Sequence, residues 1–375
     1  MPAMKSGDLI PITISLQPAF HGGPAYAAHK LGYFEELGLN ATFRIYPSGA
    51  PQVKDASSWD IGIAGGPPQV QGWTESVLKT VGINNDESLT NALVANGRGM
   101  AAWSDIVSAG TLGDTKITVS PNSTAEFVVE ECLKMHNISF DPIINFVNDS
   151  TQKGVAASLS DPDGNDFGSL WAPTLYTLLE TLPSSGIICD GTKVGAHVVG
   201  GIMVSNEADE TNTETAVLGI AAWLKGITYF KDPVYRDQAK VYLNQFYEEQ
   251  GFPPLTPGAL HIEFSRPLYN LDEQLQMMAK NENGVSTLGS WFQDIVIFMY
   301  EGGIIPSLLN AENYMEDKYM KWIAANETLA KWTMTLEESN PTSISNSRTG
   351  EDPSSAFLSV PISHMFVMVC YMLIM

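Results

Sequence analysis

Short apolar runs with strand periodicity alternate along this chain with longer stretches that carry apolar residues at helical spacing. Ile10–Leu16 (IPITISL) places β-branched residues at every second position and predicts a strand. The Gly/Pro loop Gln17–Pro24 (QPAFHGGP) follows, then a helix over Ala25–Glu36 ended by Gly38. Strands are predicted at Ala41–Tyr46 and Trp59–Ala64, the second broken at once by Gly65-Gly66-Pro67-Pro68. Strand, helix and strand in this order is the βαβ arrangement, which favours a mainly parallel sheet with binding loops at the strand C-termini.

A second set of elements starts after Trp103. Strands are predicted at Lys116–Val119, Ile143–Val147, Asp166–Leu170 and His197–Val204. Between them the spacing predicts helices over Ala125–His136, Val155–Leu159 and Thr174–Thr181. The remainder reads as helical, at about residues 207–230, 232–249, 272–280, 286–302 and 311–333. With no repeat of 20–50 residues, solenoids and propellers are disfavoured.

Composition narrows the function classes. The 375 residues include 20 Lys+Arg against 42 Asp+Glu, for a net charge of −22. Such a chain lacks the cations that nucleic acid and anionic membrane surfaces require. Three cysteines exclude a disulfide scaffold and a four-cysteine zinc site. Cys132 and Cys189 pair or remain buried thiols; the sequence supports either. The six histidines are scattered, with no His-x-x-x-His pair and no Gly-x-Ser-x-Gly, so no catalytic residue, metal site or cofactor is expected.

The termini bear on location. Met1–Gly7 contains no charged-then-apolar signal segment, yet sequons occur at Asn40, Asn122, Asn137, Asn148 and Asn326. Ser345-Asn346-Ser347, a polar spacer and the uncharged, largely apolar Ala356–Met375 follow the layout of a lipid-anchor signal or a short membrane anchor. Pro361, Ser363 and His364 interrupt that tail. An extracytoplasmic protein, tethered to a membrane only through its tail, is the expectation; a cytoplasmic one is the alternative.

Four stretches carry a family resemblance: Ala27–Asn40 (AAHKLGYFEELGLN), Ser58–Gly72 (SWDIGIAGGPPQVQG), Asp166–Pro173 (DFGSLWAP) and Trp291–Lys318. In these the chain resembles the solute-binding proteins of nitrate, sulfonate and taurine import systems. It is equally similar to the thiamine-pyrimidine precursor binders and synthases that share their fold. The resemblance implies an α/β, two-lobed periplasmic-binding-protein-like (type II) fold that clamps a small solute for uptake through an ABC-type permease. It implies lobe one over 8–102, lobe two over 103–199, and a return strand with C-terminal helices over 200–335. A polar linker (336–355) and hydrophobic tail (356–375) follow. The protein is expected to be a monomer, hinged near Ala102 and at Gly200 and Gly201; tight packing inside a strand is the other reading of those two glycines.

Candidate ligand contacts follow from loop position and chemistry. Ser120, Asn122, Ser123 and Thr124 open a helix whose free N–H groups favour an anion; an ordinary N-cap would use the same residues. Phe20 and His21 follow the first strand, where a ring and an imidazole suit a ligand as well as a core. Ser48, Gly49, Gly65, Gly66 and Pro67 follow the next two strands and would let a ligand approach the backbone, or would simply turn the chain. Trp171 offers an apolar wall and one N–H donor. Two alternatives to solute binding stay open. A pyrimidine-precursor synthase would need iron and a lysine facing His21 or His29, and this chain, with single cysteines at 132, 189 and 370, lacks the cysteine-rich run of such enzymes. A surface receptor would have a cleft filled by side chains.

Overall fold

The computed structural model describes residues 9–336. The N-terminal segment Met1–Gly7, the anchor-signal triplet and the apolar tail therefore lie outside the described residues. Among the described residues no helix is long and apolar enough to cross a membrane.

Two five-stranded sheets, flanked by helices, form two lobes. The first contains β1 (Ile10–Leu16), β2 (Leu39–Ile45), β3 (Ile61–Gly65), β4 (Leu78–Asp86) and β10 (Val199–Ser205), in the order β2-β1-β3-β10-β4. The second contains β5 (Asn91–Ala95), β6 (Ile117–Val119), β7 (Phe146–Asn148), β8 (Phe167–Trp171) and β9 (Gly186–Asp190), in the order β7-β6-β8-β5-β9. Each sheet is mixed. β10 runs antiparallel to β3 and β4, and β5 antiparallel to β8 and β9, while β1, β2 and β3 pair in parallel, as do β6, β7 and β8. In each lobe the reversed strand is the one the chain enters directly from the other lobe.

This topology moves the predicted crossing. β4 belongs to the first sheet and β5 to the second, so the chain leaves lobe one at Glu87–Thr90, not near Ala101–Ser104. Ala102 sits instead in the helix Gly97–Ala109 of lobe two, started by Asn96, whose Oδ1 accepts from the Arg98 and Gly99 amides at 3.0 and 3.1 Å. β4 escaped the sequence pattern because it is buried on both faces, so the alternation that marks a half-exposed strand is missing. Gly200 and Gly201 lie inside β10, past the return crossing. A Cβ there would come within 2.7 Å of Asn85 Oδ1 or 2.4 Å of Gln69 Nε2, so both serve close packing within the sheet.

Other elements differ locally. The helix expected over Ala25–Glu36 is two, Gly23–Lys30 and Tyr33–Glu36, separated by Gly32 at φ 77°. Ile143–Val147 is not one strand: Asp141 caps the amide of Ile143 and Pro142 opens a short helix, Pro142–Asn145, before β7. The 207–230 stretch divides into Asn206–Thr211 and Thr213–Lys231, and 311–333 into a 3-10 turn (Ala311–Asn313) plus Lys318–Ala325 and Glu327–Met334. β9 and the helix Pro257–Glu263 were absent from the sequence reading.

The large core belongs to lobe one, where the C-terminal helices pack back on the first sheet. Trp73 stacks on Tyr314 at 5.2 Å and contacts Phe292 at 5.0 Å, joining Gly66–Thr74 to Thr287–Glu301. Burying such rings contributes about 2–3 kcal/mol each. Lobe two has a smaller core, crossed by a Cys132–Cys189 disulfide that ties the helix Thr124–Met135 to β9. The lobes are apposed: Phe127 meets Phe298 across the seam at 5.2 Å, and Thr256 Oγ1 donates to Glu180 at 2.8 Å.

Candidate ligand-binding cleft

A cavity of about 210 Å³ lies between the lobes, at the C-terminal ends of β1, β3, β6 and β8. Of the sequence-predicted contacts it brings together His21, Ser48, Gly49, Gly65, Ser120, Asn122, Ser123, Thr124 and Trp171. Phe20, Gly66 and Pro67 are elsewhere. Phe20 is fully buried edge-on between Phe230 and Phe264, so its ring belongs to the core. Gly66 has Ile295 where a Cβ would stand, 2.2 Å away, and Pro67 is buried in the first turn of Gly66–Thr74 while Pro68 lines the cavity. Gly66 thereby lets the helix pack closely on its neighbour.

One buried glutamine in each lobe holds the cleft loops. Gln52 donates to Ser15 Oγ at 2.8 Å and to the Ile63 carbonyl at 3.0 Å, and accepts from Gln17 Nε2 at 2.7 Å, so it joins the ends of β1 and β3. Gln152 donates to Ser120 Oγ at 3.0 Å and accepts from the Trp171 amide at 2.8 Å, joining the ends of β6 and β8. Buried amides satisfied on both sides fix loop geometry more tightly than apolar contacts.

The start of Thr124–Met135 supplies donors. Ser123 is the N-cap, its Oγ accepting from the Glu126 amide at 3.2 Å. The Thr124 and Ala125 amides occupy the first turn, where a helix has no internal partner for them. Ser120 and Ser123 hydroxyls accept within the lobe and keep their own protons to donate. Thr124 Oγ1 donates to Asn91 Oδ1 at 2.7 Å, across the first turn to β5. Asn122 stands at φ 58°, half-buried at the cleft, whereas the sequon residues Asn40, Asn137, Asn148 and Asn326 are exposed.

The opposite wall carries the charges, and the sequence reading missed most of them. His21 Nδ1 lies 2.7 Å from Glu87 Oε1, with both side chains buried. Arg266 Nη1 is 3.8 Å from the same oxygen, and Arg266 Nη2 is 2.7 Å from Glu263 Oε2, an ion contact without hydrogen-bond alignment. The guanidinium also covers the Phe20 ring at 5.0 Å. Burial alone would raise the Glu87 carboxyl, but His21 and Arg266 outweigh it and hold it below its ordinary value. Burial pushes Glu263 up to about 7 against the pull of Arg266. Several groups here are buried and unpartnered: His21 Nε2, Arg266 Nε, and the hydroxyls of Tyr176 and Tyr247. No local signal marked Glu87 or Arg266: one follows a strand without alternation, and the other lies three residues past the short helix Pro257–Glu263, where nothing in the adjacent residues points to a buried carboxylate.

The two crossings meet at this wall. The Glu87 amide donates to the Val198 carbonyl at 2.7 Å, Ser88 Oγ donates to the Ala196 carbonyl at 2.8 Å, and the Val198 amide donates to Ser88 Oγ at 3.1 Å. A residue that lines the cleft is thus part of the connection between the lobes. His29, the other histidine considered for a reactive site, lies outside the cavity, edge-on to Phe43 at 5.2 Å, and no lysine is among the cavity residues.

No protein-family model matches the chain, and no curated protein matches it either. Solved structures do. The alkanesulfonate-binding protein of Xanthomonas axonopodis pv. citri, bound to MOPS, superposes with a TM-score of 0.63 at 15% identity, over 82% of this chain and 98% of that one. The periplasmic aliphatic sulphonate binding protein of Escherichia coli gives 0.62 at 13% identity, over 82% and 92%. The periplasmic nitrate-binding protein of Synechocystis PCC 6803 gives 0.60 at 9% identity, over 88% and 91%. The chain has the periplasmic-binding-protein fold.

Proposed function

We propose that this protein is a solute-binding protein that clamps a small anionic or heteroaromatic solute between its lobes for uptake. The observation that carries the reading is the interlobe cavity, lined from one side by Ser48 and His21 and from the other by the first turn of Thr124–Met135. Closure removes water from such a site and strengthens each polar contact made there. The sulfonate- and nitrate-binding functions of the superposing proteins favour an oxyanion head group. A disulfide in lobe two supports an extracytoplasmic address, where thiols oxidise, and uptake from there would deliver the solute to an ABC-type permease.

We read it as a binding protein, not an enzyme. A precursor synthase would set a lysine opposite the cleft histidine, and His21 faces Glu87 instead. A ligand-less receptor would fill the cleft, and about 210 Å³ stands open.

The test is a thermal-shift screen of the full chain against nitrate, bicarbonate, sulfate, taurine, alkanesulfonates, thiamine and its pyrimidine, with and without iron. A ligand at 100 times its Kd adds about 2.7 kcal/mol, a shift of several degrees. A shift with one class establishes a binding protein; a flat panel overturns the reading.

A further inference from the structure

We propose that Cys132, His136 and Cys189 form a metal site in the thiol form of this chain, taking a divalent, thiophilic cation of the Zn²⁺ kind wherever the disulfide has not formed. The inference goes beyond solute binding and does not depend on it.

Three side chains converge here from two elements. Cys132 lies on the helix Thr124–Met135, and His136 follows one turn later, its amide donating to the Cys132 carbonyl at 3.2 Å. Cys-x-x-x-His at this spacing puts both side chains on one face of a helix. Cys189 arrives from β9, with its Cα 6.0 Å from that of Cys132. The two Sγ atoms and one ring nitrogen of His136 all lie within 4.8 Å of one another, the one such cluster of metal-ligating side chains among the described residues. The disulfide accounts for the sulfurs but not for the histidine. His136 Nε2 is buried without a hydrogen-bond partner among the described residues, although the residue as a whole is partly exposed. That part of the ring therefore faces inward, and Trp103 meets it edge-on at 5.4 Å. A buried ring nitrogen without a partner is costly, and a metal ion beside it would satisfy it.

Charge and geometry select the ion. Both cysteines are fully buried in the apolar core of lobe two, with Val129, Leu133, Ile138 and Ile188. Two thiolates there need two positive charges, which a divalent ion supplies and a monovalent one does not. Thiolate and imidazole donors suit Zn²⁺ over Mg²⁺ or Ca²⁺. Two thiolates on one tetrahedral Zn²⁺ sit about 3.8 Å apart, a separation that side-chain rotation provides on Cα atoms 6.0 Å apart. The exposed part of His136 leaves the fourth position open to water.

Binding displaces the two thiol protons to solvent as the metal–sulfur bonds form. Oxidation reverses it: a small disulfide takes two electrons from the paired thiolates and two protons from water, and leaves as two thiols. The Cys132–Cys189 bond forms and the metal departs. The helix whose first turn lines the cleft is thus tied to β9 in both states, by a covalent bridge or by a metal.

The test uses the full chain with Cys370→Ser, so that Cys132 and Cys189 are the thiols present. Protein reduced by a phosphine in denaturant is refolded without oxygen and titrated with Co²⁺, the spectroscopic stand-in for Zn²⁺. One Co²⁺ per chain should bind, with a thiolate-to-metal charge-transfer band and the strong visible absorption of a four-coordinate site, both removed by Zn²⁺. Zn²⁺ should also raise the melting temperature of the reduced chain toward that of the oxidised one. His136→Phe should melt like its parent when oxidised and bind Co²⁺ about ten-fold or more weakly when reduced. Absence of the charge-transfer band overturns the inference, as does equal Co²⁺ affinity in His136→Phe or an equal Zn²⁺ effect on the oxidised chain. Refolding of the reduced chain only with metal supports it; failure to refold with metal as well as without overturns it. Should oxidised His136→Phe fail to fold, X-ray absorption of the Zn²⁺ form of the parent decides. Two sulfur neighbours and an imidazole support the site, and any other ligand set overturns it.

Discussion

His21 Nδ1 and Glu87 Oε1 lie 2.7 Å apart, joining the loop after the first strand of lobe one to the residue at which the chain leaves that lobe. Both are buried, so neither replaces the other with water. His21→Ala leaves Glu87 with Arg266 as its nearest charge, at 3.8 Å. Loss of one partner of a buried pair costs about 3 kcal/mol, and the urea midpoint of the variant should fall accordingly. An unchanged midpoint would show that the pair contributes nothing to the hinge.

Gly65 and Thr124 face each other across the cleft. A Cβ at Gly65 would stand 2.7 Å from Thr124 Cγ2, so Gly65→Ala opposes the apposed arrangement of the lobes. Ligand Kd should rise about ten-fold, roughly 1.4 kcal/mol. Thr124→Ser removes the methyl group and keeps the hydroxyl that donates to Asn91. Adding it to Gly65→Ala should restore most of the affinity, which calorimetry on the double variant reads directly.

Trp171 is partly exposed and lines the cavity, while its backbone amide is held by Gln152. Trp171→Ala should therefore weaken ligand binding by about 1–2 kcal/mol with little change in melting temperature. Gln152→Ala should do both, because it also frees Ser120 and the end of β8.

Stability should fall as pH rises from about 4.5 to above 7. Burial pushes Glu126, Glu130 and Glu263 each up to about 7 from an ordinary 4.5. A carboxyl raised in this way is neutral in the folded state across that window and ionised in the unfolded state, so deprotonation draws the equilibrium toward unfolding. Glu87, Asp209 and Glu312 shift the other way and act only at lower pH, where their folded-state contacts are protonated. Denaturation midpoints at pH 5 and 7.5 should differ in favour of pH 5, by up to about 2 kcal/mol for each of these carboxyls. Glu126→Gln with Glu130→Gln should flatten the profile.

The Cys132–Cys189 bridge ties the cleft helix to β9 across 57 residues of chain. Replacing both with Ser should lower the stability of lobe two by about 2–4 kcal/mol. Reductant should have the same effect on the parent chain and none on the variant.

The local patterns of the chain determined a good deal. Strand periodicity placed β1, β2, β3 and β10 within a residue or two, and Pro and Gly punctuation placed the loops that follow them. The Ser/Thr-rich start of Thr124–Met135 and Trp171 were legible because capping chemistry and a Trp-Ala-Pro strand end are written in adjacent residues. What depended on neighbours distant in sequence was not legible. β4 is covered on both faces, so its own residues do not alternate, and the crossing to lobe two was misplaced by about fifteen residues for that reason. Phe20 and His21 are adjacent and equally suited to a cleft. The rings of Phe230 and Phe264 take the first into the core, and Glu87, sixty-six residues away, holds the second at the cavity. Arg266 meets Glu87 only because the C-terminal helices fold back on lobe one. The sequence by itself determined the elements and the donors at one wall of the cleft. The charge at the other wall was decided by tertiary packing, since a buried ion pair is a relation between residues that local propensity does not encode.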